Sequence, residues 1–165
     1  MTIDEQQLCD LPAHRIAELV RGRKISASEV LESALERIRQ VDGRPGSLEH
    51  GELTADDRQK VHAFITQTEE LARRQAAEVD RKVAAGEDPG ALAGAPFTVK
   101  DIFTQKGTPS TAASRILANF VAPYTATPVR RMLSAGAVSL GKVNLDEFTY
   151  GSSNESSAFQ PSARN

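Results

Sequence analysis

The sequence predicts an α/β fold in which a mixed central sheet is flanked by helices. Short β-prone runs alternate with longer segments whose apolar residues recur at helical spacing. This alternation is typical of sheets with at least partly parallel strands. The 165 residues, of which 39% are hydrophobic and 25% charged, suit one ordinary globular domain.

Segment 1–43 is predicted to be helical and to form two helices. Asp10 is expected to cap the first helix, and Gly22 to end it, because a short acid accepts from free N–H groups and glycine stops a helix. The second helix is expected to begin at a capping box made by Ser26 and Glu29. Its apolar residues lie on one face almost to the end of the segment.

The next part of the chain is predicted to be a loop, a strand and a third helix. Residues 44–60 show no period and form a surface loop, and "VHAFIT" at 61–66 is typical of a strand. Thr66 and Glu69 match a second capping box. The helix that follows is expected to run to about Ala85.

From residue 86 to the end we expect an α/β arrangement with long polar connections. After a loop at 86–94, "PFTV" at 96–99 is predicted to be a short, buried strand. A helix is predicted at 127–135 and a strand, "AVSL", at 137–140. Residues 144–165 are polar and centre on "GSSNESS". The sequence contains no visible internal repeat.

One segment is close to a phosphate-binding loop but does not match it. Gly136, Gly141 and Lys142 have the required spacing, but Val143 stands where a metal-binding hydroxyl is needed. The residues between the two glycines are apolar and β-prone, so they are predicted to form the strand itself, whereas a phosphate loop follows its strand.

The histidines and the cysteine do not form a metal-binding pattern. His14, His50 and His62 share no metal-ligand spacing, and Cys9 is the only cysteine. His62 alternates with Phe64 along the predicted strand, which favours a structural, hydrogen-bonded histidine.

Charge and composition favour a cytoplasmic protein. The net charge is −2, so nothing argues for binding to nucleic acid or to a membrane surface. The N-terminus is acidic and lacks an apolar signal core, and no apolar run is long enough to span a bilayer. A single cysteine fits a reducing compartment.

Lys100 is the residue whose position most suggests chemistry. It stands at the carboxyl end of the strand at 96–99, and functional groups of α/β sheets cluster beyond such ends. A lysine amine has a reference pKa near ~10.4, and burial can lower it by several units. A neutral amine is a competent general base, whereas pairing with Asp101 would hold the charge. A solvated surface lysine is the alternative interpretation.

Three stretches resemble the amidase signature family: "GAPFTVKDIF", "ILANFVAPYTAT" and "GAVSLGKVNLDEFTYGSSNESSAF". The resemblance covers nearly the whole chain and is strongest from Gly94 onward. The run "NLDEF" followed by "GSSNE" is fairly specific for the glutaminase subunits of tRNA-dependent amidotransferases. The resemblance implies that residues 1–165 are the N-terminal part of a single amidase domain, with an incomplete sheet. That domain would comprise a helical part at 1–43, a loop at 44–60 and an α/β part at 61–165.

The resemblance also implies catalytic and binding residues. In this family a Ser–cis-Ser–Lys triad attacks an amide: one serine is the nucleophile, the second relays protons and the lysine is the base. Lys100 takes the position of the lysine. Tyr150, Gly151 and Ser152 are expected to line the glutamine pocket, next to the Gly/Ser-rich break that follows "NLDEF".

The chain departs from the family pattern in two places. The family's serine-rich signature, which supplies both serines, is expected beyond residue 165, so the 165 residues alone are expected to lack amidase activity and to fold poorly. The family usually has aspartate where Thr125 stands.

Partners and cofactors follow from the resemblance. The B subunit of such an enzyme would bind misacylated tRNA and use ATP with Mg²⁺, and a small C subunit would wrap the pair into a heterotrimer. Ammonia from glutamine would convert Glu-tRNA(Gln) or Asp-tRNA(Asn), while this chain itself would bind no cofactor. The alternatives are a stand-alone amidase that acts on another small amide, and a non-catalytic scaffold derived from the fold.

Overall fold

The computed structural model describes residues 5–49 and 54–159, except the side chains of residues 5–7. The predictions for His50 and for residues 160–165 lie outside this range. Three short 3₁₀ helices cover Glu5–Asp10, Asp57–Gln59 and Glu147–Thr149. In chain order the other elements of this range are α1 (Ala13–Arg21), α2 (Ala27–Val41), β1 (Phe64–Gln67), α3 (Glu69–Ala85), β2 (Pro96–Lys100), α4 (Thr127–Ser134) and β3 (Val138–Val143).

The three strands form one mixed sheet in the order β1-β3-β2. Strands β1 and β3 are antiparallel, with Phe64 opposite Val143. Strands β2 and β3 are parallel, because the bonds from Val138 N–H to the Ala95 carbonyl (2.9 Å) and from Asp101 N–H to the Val143 carbonyl (3.0 Å) advance in the same direction. The predicted α/β class with a mixed sheet is therefore confirmed.

The chain divides into two compact units, whose boundaries fall within α2, β2, α4 and β3 and between β1 and α3. The first unit comprises residues 1–37, 69–97 and 130–140, and the second comprises residues 38–68, 98–129 and 141–165. In the first unit, α1 packs against α3, and α1, α2 and α3 bury apolar side chains. In the second, a core forms from Ile65, Ala113, Leu145 and Phe159, with Leu48 and Ala158 packed against it.

The N-terminal cap predicted for α2 is correct, and the one predicted for α1 is wrong. At α2 the capping box is confirmed: the Ser26 N–H donates to Glu29 Oε2 (2.7 Å) and the Glu29 N–H donates to Ser26 Oγ (3.1 Å). The cap assigned to Asp10 is wrong. That residue ends a 3₁₀ helix, and α1 starts after Pro12, whose carbonyl accepts from Arg15 N–H (2.8 Å).

The segment that leads from β1 into α3 also differs from its prediction. The capping box of Thr66 and Glu69 is wrong, because Thr66 lies in β1 opposite Lys142 and α3 begins only at Glu69. Strand β1 begins at Phe64 and not at residue 61, since the N–H groups of Ala63 and Phe64 donate to the Asp42 carboxylate (2.6 and 3.3 Å). A buried acid takes the place of a strand partner here.

Strands β2 and β3 occur where the sequence predicts them, with two differences. Strand β3 extends three residues beyond 137–140 and includes Gly141 and Lys142, so these two residues lie within a strand. In β2 only Val99 is buried, so the expectation of a buried strand is wrong for the other residues.

Among residues 5–49 and 54–159, no helix combines the length and the apolar character that crossing a bilayer requires.

Candidate active site

Lys100 is the last residue of β2, and its side chain is exposed. Its carbonyl accepts a hydrogen bond from Phe103 N–H (2.9 Å), which turns the chain directly after the strand. The position at the strand end agrees with the sequence prediction. The Lys100 side chain is exposed in the described structure, and its desolvation in the full-length enzyme stays a prediction.

Asp101, the next residue, is fully buried and forms an ion pair with a different lysine. The Lys142 ammonium donates to Asp101 Oδ1 over 2.8 Å, and both side chains are 0% exposed. The second carboxylate oxygen accepts from the N–H (2.9 Å) and the hydroxyl (2.5 Å) of Thr111. Asp101 therefore does not compete for the amine of Lys100.

Lys142 uses all three of its N–H bonds inside the protein. Besides Asp101, its ammonium donates to Ser110 Oγ (2.9 Å) and to the Pro109 carbonyl (3.0 Å). Burial lowers the pKa of Lys142, while the hydrogen bond and the charge of Asp101 oppose that shift. Three acceptors, one of them a carboxylate, suit the ammonium form.

The role of Lys142 was not predicted from the sequence, where this residue is considered only as part of a segment that does not match a phosphate-binding loop. The sequence does contain a pattern that indicates a buried lysine here. Lysine rarely lies inside an apolar, β-prone run unless a partner neutralises it. The run "AVSLGKV" thus indicates a buried lysine that needs an acid, although the sequence does not say which one.

Tyr150, Gly151 and Ser152 lie together in an exposed segment just after the 3₁₀ helix Glu147–Thr149. The Tyr150 side chain, which belongs to the second unit, is 89% exposed. It is therefore accessible to a ligand. Nothing in the described residues shows what the three would contact, and their role at a glutamine pocket stays a prediction.

Asp146 organises the segment that carries these residues. Its carboxylate accepts from Asn154 N–H (2.8 Å), Ser156 N–H (3.1 Å) and Ser156 Oγ (2.9 Å). These backbone hydrogen bonds lower the pKa of Asp146. A Cβ atom placed on Gly151 would lie 2.4 Å from the Asp146 carboxyl carbon. The glycine thus allows the loop to close around the acid.

His62 has the structural role that the sequence predicts, although it precedes β1 and has a positive φ of 56°. The ring is 1% exposed, with Nδ1 3.2 Å from the Arg44 carbonyl and Nε2 2.8 Å from the Asp57 carbonyl. His62 therefore ties the two ends of loop 44–60 to the chain before the strand.

Within the described part of the chain, no group of three or more histidine, cysteine, aspartate or glutamate side chains could hold a metal ion.

The family model described as Amidase matches residues 54–165. Since this match covers most of the sequence, the chain belongs to the Amidase family. The A subunit of the glutamyl-tRNA(Gln) amidotransferase of Salinispora arenicola (strain CNS-205) is 47% identical over 154 residues, which are 93% of this chain and 28% of that protein. Its counterpart of the same name from Desulforudis audaxviator (strain MP104C) is 44% identical over 153 residues, again 93% and 28%.

Solved structures that are 26–35% identical to this chain share its fold. One, described as "An unexpected vestigial protein complex reveals the evolutionary origins of an s-triazine catabolic enzyme", has a TM-score of 0.73 and 35% identity over 86% of this chain and 28% of that one. The native peptide amidase from Stenotrophomonas maltophilia has a TM-score of 0.65 and 26% identity, over 87% and 26%. The chain thus spans between a quarter and a third of the length of these relatives.

Proposed function

We propose that this chain forms the lysine-bearing part of the glutaminase subunit of a tRNA-dependent amidotransferase. The main support is the site at the end of β2, where Lys100 follows a buried valine and Asp101 is already paired with Lys142. The A subunits of glutamyl-tRNA(Gln) amidotransferases, 40–47% identical to this chain, are further support.

In the proposed reaction Lys100 is the base of the triad. A serine hydroxyl is a weak nucleophile until a neighbouring base takes its proton. The neutral lysine amine would accept that proton through the second serine, and the first serine would attack the side-chain amide of glutamine. Ammonia leaves as the acyl-enzyme forms, and water then releases glutamate. The proposal requires further chain to supply the serines and to cover Lys100.

The proposed partners are the two other subunits of such an enzyme. The B subunit would bind the misacylated tRNA and use ATP with Mg²⁺, and the C subunit would hold the pair together in a cytoplasmic heterotrimer. The net charge of −2 fits a chain that leaves most phosphate contacts to its partner, because tRNA binding depends on basic side chains.

The test compares glutamine and free ammonia as nitrogen donors in the full gene product assembled with its partner subunits. Lys100→Ala and Lys100→Arg are each expected to abolish the use of glutamine, because guanidinium does not give up its proton. Both should leave amidation with free ammonia intact. Lys106→Arg, a change at another exposed lysine of the same unit, is the matched control. Near-normal glutamine use by Lys100→Arg would refute the role of Lys100.

A stand-alone amidase is the second candidate, because solved neighbours include a peptide amidase and "6-aminohexanoate cyclic dimer hydrolase complexed with substrate". The two candidates differ in what they assemble with. If the full gene product purifies alone and hydrolyses small amides without any tRNA-binding partner, the second candidate is correct.

A further inference from the structure

Lys100 and Asp101 are neighbours in sequence with opposite environments. The Lys100 side chain is exposed, whereas the Asp101 side chain is fully buried. Successive side chains at the end of a strand point to opposite faces, so the acid can be fixed inside the protein while the lysine remains available. The position of one residue therefore constrains the other through the shared backbone.

We propose that Asp101 and Lys142 are positioning residues for Lys100: they fix the strand end that carries it and cancel a charge that would otherwise keep its amine protonated. This inference rests on the proposed function, since it assumes that Lys100 acts as a base. In this proposal Lys142 neither contacts substrate nor takes part in proton transfer, and it acts only through Lys100.

Asp101 is held in place mechanically. Asp101 is held at its backbone by N–H donation to the Val143 carbonyl (3.0 Å) and by acceptance from Ala112 N–H (3.4 Å). Its carboxylate is held by three further donors from Thr111 and Lys142. Five hydrogen bonds thus fix the residue that follows Lys100, and a reacting group must be held precisely for efficient proton transfer.

The buried pair also acts electrostatically on Lys100. Lys142 and Asp101 are each other's only charged contact among the described residues, and their other partners, Ser110, Thr111 and the Pro109 carbonyl, are neutral. The buried pair therefore carries no net charge. Without Lys142, an unpaired carboxylate would stand one residue from Lys100 and would favour its protonated form. Without the carboxylate, a buried ammonium would favour the neutral form.

The test uses the dependence of glutamine hydrolysis on pH in the full gene product with its partner subunits. Because the base must be neutral, kcat/KM rises with pH along the acidic limb of the profile. Lys142→Met is expected to move this limb to higher pH and Asp101→Asn to move it to lower pH, each by up to about one pH unit. The double variant should restore the wild-type profile, because it is again neutral.

A purely structural pair gives a different result. Both single variants would then lose activity equally at every pH, in proportion to the loss of folded protein, and the acidic limb would stay in place. Folded single variants with an undisplaced limb, or with limbs displaced in the same direction, would overturn the inference.

Two further outcomes are distinguished: a single variant that does not fold, and failure of the proposed function. If a single variant does not fold, the double variant decides: a displaced limb in the folded double variant also overturns the inference. Failure of the proposed function itself is recognised separately, because Lys100→Arg would then retain glutamine hydrolysis.

Discussion

The Lys142 ammonium lies 2.8 Å from the Asp101 carboxylate, and neither side chain reaches solvent. Removal of one partner leaves an uncompensated buried charge, which typically costs ~3–5 kcal/mol, whereas neutral replacement of both partners is often almost without cost. We expect Lys142→Met to lower the free energy of unfolding by about that amount and the double variant Lys142→Met/Asp101→Asn to lower it by less than half as much.

This expectation is checked by urea unfolding of the full gene product, with Lys106→Met as a control on an exposed lysine. If the double variant is as unstable as Lys142→Met, the instability comes from lost packing and not from the unpaired charge.

The capping box at the start of α2 gives a second prediction. Ser26 and Glu29 satisfy each other's free groups there, so Ser26→Ala should destabilise the protein by ~1 kcal/mol. Ser134→Ala changes an exposed serine at the end of α4 and should stay within ~0.5 kcal/mol of wild type. Thermal unfolding of both variants provides the comparison, and equal midpoints would contradict a capping role.

A third prediction concerns Gly141 in β3. Its φ is +145°, and an added Cβ would lie 2.2 Å from the carbonyl oxygen of Thr66 on the neighbouring strand. Gly141→Ala is therefore expected to separate β1 from β3 and to cost at least ~3 kcal/mol. Gly107→Ala is the control, since Gly107 also has a positive φ, of +78°, but has open space around it; it should cost only ~1–2 kcal/mol. Similar losses in urea unfolding would show that backbone strain alone, without the clash, sets the cost.

The loop around Asp146 gives a prediction about acid. Hydrogen bonds from the backbone of Asn154 and Ser156 lower the pKa of Asp146 below its ordinary value of 3.8. Since the folded-state pKa is depressed, the stabilisation is complete above pH 3.8 and is lost as the pH falls through the lower folded value. In NMR titrations the amide protons of Asn154 and Ser156 should move together, with a midpoint below 3.8. A midpoint at or above that ordinary value would contradict the hydrogen-bonded loop.

A fifth prediction tests the expected glutamine pocket. Tyr150 is 89% exposed and Tyr124 is 61% exposed, so both can be replaced with little effect on the core. Tyr150→Ala should raise the KM for glutamine at least ~10-fold without affecting the use of free ammonia, whereas Tyr124→Ala should change neither. A bound glutamine analogue that lies far from Tyr150, Gly151 and Ser152 would disprove the assignment.

Elements with strong local patterns can be predicted from the sequence. Helix α2 has both a capping box and a continuous apolar face, and it occurs as predicted, over Ala27–Val41. Helix α1 is predicted with the wrong cap, because a 3₁₀ turn that nothing in the local pattern marks takes up Asp10. Strand β1 is predicted to start too early, because the N–H groups just before and at its first residue bind the side chain of Asp42, which lies 21 residues before Ala63.

The site can be predicted only in part, because some of its contacts join residues that are far apart in the sequence. The position of Lys100 at a strand end follows from a local run of apolar residues. The partner of Asp101 does not, because it is 41 residues away in sequence and the adjacent Lys100 is the nearer candidate. Long-range pairing of charges depends on which strands become neighbours, and a single sequence does not contain that information in its local pattern.

The order β1-β3-β2 has a consequence for synthesis of the protein. The strand made last of the three lies in the middle, so β1 and β2 leave the ribosome before β3, the strand that both of them pair with in the described part of the chain. Asp101 emerges 41 residues before Lys142 and stays hydrated until then, because burial of the lone carboxylate would be costly. When β3 is complete, the sheet and the ion pair between Asp101 and Lys142 can form in one step. A nascent chain stalled before residue 142 should therefore remain sensitive to protease, and one stalled well after it should gain protection at the sheet.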